Sequence, residues 1–112
     1  MLNITATNGL SRYSNYKDQL MLGKTSVPLP NPDIIAKLAE DEAVLVIPQK
    51  GQVKVVNEVG AVIWELIDGN RTIEDIIDEI ISQFDVDPVT AETDVINFTT
   101  ELYKRDIIAF SI

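Results

Sequence analysis

The spacing of apolar residues changes character at Asn57, and that change constrains the fold more than any other feature of the chain. Before Asn57 the apolar runs are short, rich in Val and Ile, and punctuated by Pro and Gly, as strands are. Ile34–Leu38 is a first strand candidate. Ala43–Ile47 is a continuous apolar run of the kind a central strand shows. Pro48-Gln49-Lys50-Gly51 is a turn with Gly placed for positive φ. Gln52–Val56 follows, with Val53, Val55 and Val56 apolar and Lys54 interrupting. These segments predict an antiparallel meander of three strands.

After Asn57 the apolar residues recur at helical spacing. Asn57 can cap a helix over Glu58–Ile67, which Asp68-Gly69 ends. Thr72 can cap a second helix from Ile73 to Phe84, with Glu74 and Asp75 at its positive end. Ile73, Ile76, Ile77, Ile80, Ile81 and Phe84 form its apolar stripe. Asp87-Pro88 starts a third helix that runs to about Arg105. Ile107–Ile112 is a terminal strand or a tail docked on the core. Strands followed by helices make an α+β domain.

The third helix has an unusually wide apolar arc. On a wheel stepped at about 100° per residue, Ala91, Val95, Phe98 and Leu102 share one stripe. Asp94, Asn97, Glu101 and Arg105 form a compact polar face, and Val89, Ile96 and Tyr103 a second apolar flank. The arc of about 180° exceeds what one core contact needs. Ile96 and Tyr103 therefore have two readings: contact with the sheet or terminal strand, or the lining of a groove beside the sheet.

The chain has 112 residues, one domain's worth. It has no cysteine and no histidine. Disulfides, Cys/His zinc sites, thiol nucleophiles and the commonest general base are thereby excluded. Residues 1–57 hold five acids and six bases, while residues 58–112 hold thirteen acids and three bases, so the net charge of −9 sits in the helical half. That half repels a phosphate backbone, and no nucleic-acid partner is expected. No Gly-rich phosphate cradle is present. Asp85 and Asp87 lack the remaining ligands of a calcium loop, and no metal or cofactor is expected. The acids Glu74, Asp75, Asp78 and Glu79 belong to a solvated helix face. Residues 1–26 are polar with no sustained period, and Val27–Pro32 is an extended lead-in. Residues 1–30 are read as a flexible arm, within which Leu2–Ile4 or Leu20–Leu22 can dock, and residues 31–112 as the domain. No run has signal-peptide or membrane-spanning character, so the expected location is the cytoplasm.

The segment Asn57-Glu58-Val59-Gly60-Ala61-Val62-Ile63-Trp64-Glu65-Leu66-Ile67-Asp68-Gly69-Asn70-Arg71-Thr72, followed by Ile73-Glu74-Asp75-Ile76, resembles the first two helices of the PqqD-like proteins. Asp94-Val95-Ile96-Asn97-Phe98-Thr99-Thr100-Glu101-Leu102 resembles that family's closing D-V-x-x-F-x-x-x-L. The resemblance spans about residues 33–110. Val56-Asn57 stands where the family usually has Leu-Asn, and Asp106-Ile107 where it has Gly-Leu.

The resemblance implies a winged-helix-like domain, a three-stranded antiparallel sheet packed on three helices. It implies a non-enzymatic recognition element for ribosomally made, modified peptides, of the kind that serves PQQ biosynthesis. The leader of a precursor peptide is added as a strand to the third strand, beside the third helix. Its partner is a modifying enzyme, radical SAM or other. Carried onto this chain, the edge is Gln52, Val53, Lys54, Val55 and Val56. The helix wall is Asp94, Val95, Asn97, Phe98, Glu101 and Leu102, joined by Ile96 and Tyr103 from the wheel. Two other readings stand beside it: a homo-oligomeric scaffold, such as a homodimer, and a winged-helix DNA-binding regulator, which the charge disfavours.

Overall fold

A computed structural model of the chain describes residues 23–111. The two docking segments expected in the arm, Leu2–Ile4 and Leu20–Leu22, lie outside the described residues. The elements run β1 (Val27–Pro30), β2 (Ile35–Leu38), β3 (Glu42–Ile47), β4 (Gln52–Asn57), α1 (Glu58–Leu66), α2 (Ile73–Gln83), α3 (Pro88–Lys104) and β5 (Ile108–Ser111).

Strands β2, β3 and β4 form an antiparallel sheet with β3 in the centre. The register sets Leu45 between Ala36 and Lys54, and Ala43 between Leu38 and Val56. Side chains alternate across the pleat, so Ala43, Leu45, Ile47 and Val56 are buried on one face. Val44 and Val46 fall on the other face, beside Val55 and Val53. The β3–β4 turn is a short 3₁₀ turn over Pro48–Lys50, closed by Gly51 at φ 61°. A side chain there would meet open space but a left-handed backbone.

No loop separates β4 from α1. Asn57 ends the strand and caps the helix, its Oδ1 accepting from the Gly60 N–H at 2.9 Å. α1 stops at Asp68-Gly69, where Gly69 takes φ 82°. Thr72 and Asp75 form a reciprocal capping box at α2. Ile73, Ile76, Ile77 and Ile80 of α2 are buried, each contributing roughly 1.5–3 kcal/mol of transfer free energy. Asp87 caps α3, with Pro88 in the first turn. Ala91, Val95, Thr99 and Leu102 bury the core-facing stripe of α3. Thr99 enters that stripe without an unsatisfied hydroxyl, because Oγ1 donates to the Val95 carbonyl at 2.7 Å.

One segment goes beyond its sequence expectation. Val27–Pro30, the end of the arm and the start of the extended lead-in, is a strand, paired antiparallel with β5 from Val27↔Ser111 to Pro30↔Ile108. Pro28 and Pro30 sit two apart, so both missing N–H groups fall on one side of a strand that has a single partner. Upstream, the Ser26 and Lys24 carbonyls accept from Ile73 and Glu74 at the start of α2, both at 2.9 Å. The partners of this segment lie far along the chain, where local composition gives no sign of them.

Candidate functional site

Among the described residues β4 pairs only with β3, so its other edge offers unpaired backbone groups. α3 lies on the helical side of that edge. Lys54 points from mid-strand toward α3, where its Nζ meets Glu101 Oε2 at 2.7 Å. The Lys54 side chain is only 15% exposed, its stem covered while the ammonium reaches the carboxylate. Arg105 approaches the same oxygen at 3.7 Å. The hydrogen bond from Lys54 holds the Glu101 carboxyl below its ordinary range, against a smaller opposing effect of burial.

Where β4 passes into α1, a cavity of about 330 Å³ opens against α3. Asn57, Val59, Gly60 and Ile63 line it from the α1 side, and Asp94, Asn97, Phe98 and Glu101 from α3. Gly60 makes this approach possible. A Cβ there would stand 3.0 Å from Val56 Cβ and 3.2 Å from the Phe98 ring.

The expected site residues thus divide into groups. Gln52, Val53 and Val55 are exposed along β4, Lys54 is half-buried, and Val56 is buried. Asp94, Asn97, Phe98 and Glu101 share the cavity wall. Val95 and Leu102 are fully buried in the core. The structure does not bring Ile96 and Tyr103 to this cavity. Both pack against the core, and the Tyr103 ring lies 5.5 Å from that of Phe110 in β5. On the helix they flank the buried stripe on the side away from Asp94, Asn97 and Glu101. The α1 contribution of Asn57, Val59, Gly60 and Ile63 was not anticipated. The signal available was Gly60 itself, a glycine early in a helix with no turn to explain it.

This arrangement can hold an extended chain along β4 and sort side chains at the cavity. A family model described as Coenzyme PQQ synthesis protein D (PqqD) matches residues 42–108. The chain belongs to the PqqD family. The PqqD match begins at the first residue of β3 and ends at the first residue of β5, so β1 and β2 lie outside it. A PqqA binding protein of Xanthomonas campestris pv. campestris (strain B100) is 30% identical over 70 residues, 62% of this chain and 74% of that protein. The solved structure of TbiB1 in complex with the TbiA(beta) leader peptide is 28% identical and superimposes with a TM-score of 0.65, over 71% of this chain and 93% of that one. The PqqD truncation of Methylobacterium extorquens PqqCD, a stand-alone recognition element, has a TM-score of 0.62 at 20% identity, covering 74% of this chain and 88% of that one. At that identity the PqqD likeness is one of fold.

Proposed function

We propose that this chain binds the leader of a ribosomally made precursor peptide by strand addition along β4, and presents it to a peptide-modifying enzyme of the radical SAM or another class. The single observation that carries the reading is the open β4 edge beside the cavity at α3. Backbone hydrogen bonds along Gln52–Val56 give affinity that tolerates sequence, and the cavity gives selectivity. Relatives named for binding PqqA or solved with a leader peptide support the reading. In this reading the domain carries substrate to a partner rather than converting it, in keeping with its membership of a family described by its part in PQQ synthesis and with relatives named for binding a peptide. In our reading the peptide-binding surface lies within residues 31–112, and β1 supports it from outside that range.

Titration calorimetry with synthetic leaders of the short peptides encoded beside its gene tests the reading. The diagnostic ligand is a leader N-methylated at alternate residues, which removes backbone donors on one edge only. One methylated phase should lose binding and the other keep it, because only one edge of an added strand faces β4. No saturable binding by any leader sinks the reading.

The outer face of the sheet supports a second reading, self-association. Ile35, Val53 and Val55 are 52%, 59% and 60% exposed on that face, which makes an apolar patch of the kind that marks contact surfaces. Sedimentation over a wide concentration range decides it, a concentration-independent monomer mass ruling out a homodimer.

A further inference from the structure

We propose that the cavity at Gly60 takes a lysine or arginine side chain of the added strand, and that this residue's neighbours in the strand are apolar. The inference rests on the peptide-binding reading and specifies its ligand.

The cavity has an apolar floor and a polar rim. Val59, Ile63 and Phe98 supply the floor, while Asn57, Asp94, Asn97 and Glu101 supply the rim. A long apolar stem with a polar head matches that distribution. The sign of the head follows from the charges already answered. Glu101 is met by Lys54 and Arg105. Asp94 has no ion pair or side-chain hydrogen bond among the described residues. Lys54 and Arg105 together bring one positive charge more than Glu101 takes, so with Asp94 the four groups sum to zero, and a cation is drawn in only where it lies nearer Asp94 than the Lys54–Glu101–Arg105 cluster. The positive end of α1 acts the other way. It is already capped by Asn57 and carries Glu58 in its first turn, which leaves a partial charge against the full charge of Asp94. The acid excess of residues 58–112 adds attraction at longer range.

The pleat decides the neighbours. Lys54 and Val56 share a face with Leu45 and Ala43, toward the helices. Val53 and Val55 share the opposite face with Val46, Val44 and Ile35. A strand added at β4 continues the pleat. Its residues beside the cation emerge on the outer face next to Val53 and Val55, and lengthen the rows Ile35–Val46–Val53, which is apolar, and Lys37–Val44–Val55, which is apolar except for Lys37 at its far edge. Cross-strand pairs there favour β-branched or aromatic side chains. The ligand class is an extended segment that is cationic toward α3 and apolar on the outer face.

The test uses the full chain and the leader that binds it best. In the leader, each Arg is replaced by citrulline or each Lys by acetyllysine. In the protein, Asp94→Asn removes the charge of an exposed side chain, with circular dichroism to confirm the fold. Each change should weaken binding roughly tenfold. The two together should cost little more than either alone, because both remove one interaction. Full affinity after either change, with the N-methylated leader still failing to bind, overturns the cation pocket and leaves strand addition standing. Independent, additive losses overturn it too, as does a tight-binding leader with no basic residue. Failure of every leader takes both readings down.

Discussion

Lys54 Nζ lies 2.7 Å from Glu101 Oε2, and this contact ties the edge strand β4 to α3 across the mouth of the proposed binding cleft. Glu101 remains 47% exposed, so solvent screens the pair and its coupling is modest. A double-mutant cycle of Lys54→Met and Glu101→Gln, read by urea unfolding, should give about 0.5 kcal/mol. The Glu101 carboxyl is held below its ordinary 4.5 in the folded chain. Its contribution is therefore complete above that value and disappears as pH falls through the lower folded value. The coupling should be constant from neutral pH down to 4.5 and fade below it. A coupling that is already zero at neutral pH would remove the ion pair from any account of how β4 is held.

Gly60→Ala separates helix propensity from packing. In an open helix the change stabilises by about 1 kcal/mol. Here the new Cβ meets Val56 Cβ at 3.0 Å and the Phe98 ring at 3.2 Å. Val56 Cβ is fixed to the strand backbone and cannot swing away. Overpacking costs about 1–3 kcal/mol, so a net loss of roughly 1 kcal/mol is expected, with leader affinity reduced as α1 moves off α3. Phe98→Leu in the same chain should recover part of the loss by yielding the ring contact. A stabilised Gly60→Ala variant would mean that the approach of α1 to β4 is looser than 3.0 Å implies.

The parts of the fold that could be read from sequence are those set by near neighbours. The isoleucines of α2, the caps at Asn57, Thr72 and Asp87, and the turn at Gly51 all act within a few residues, and each stands where its spacing put it. Pairing of Val27–Pro30 with Ile108–Ser111 depends on the two ends of the described chain meeting. No local pattern encodes that. The cleft was half legible for a related reason. The wheel of α3 puts Ala91, Val95 and Leu102 in the core stripe, where they lie, but Phe98, which it groups with them, turns to the cavity wall, because which face meets β4 is a tertiary fact. Asp94, Asn97 and Glu101 share that wall, while of the second apolar flank Tyr103 lies against Phe110 of β5, Ile96 packs on the core and Val89 is exposed.

Thr72→Ala tests how far α2 depends on its start. It removes the hydroxyl that accepts from the Asp75 N–H at 3.1 Å, while Asp75 still accepts from the residue 72 N–H. Losing the side-chain cap should cost about 1 kcal/mol. Thr72→Ser keeps the oxygen and should recover most of that. The readout is the urea midpoint at constant m-value, since a changed m-value would report a different unfolded state rather than a lost cap.

Removal of residues 1–30 should damage the body itself. The deletion takes away β1, whose Pro30 and Pro28 stand beside Ile108 and Phe110 in the two-stranded sheet, where those side chains are now 3% and 8% exposed. It also removes the Ser26 and Lys24 carbonyls, which accept the first N–H groups of α2. Those groups would turn to water, so their loss alone is small. Exposure of two large apolar side chains dominates, and the expected destabilisation is about 3 kcal/mol or more. Phe110→Ala in the full chain should cost a similar amount, about 3–5 kcal/mol, because it empties the same site from the other side. The pair of measurements separates two causes. If truncation leaves the urea midpoint unchanged while Phe110→Ala lowers it, Phe110 is held by Tyr103 and the core rather than by β1, and the two-stranded sheet is not part of the cooperative unit.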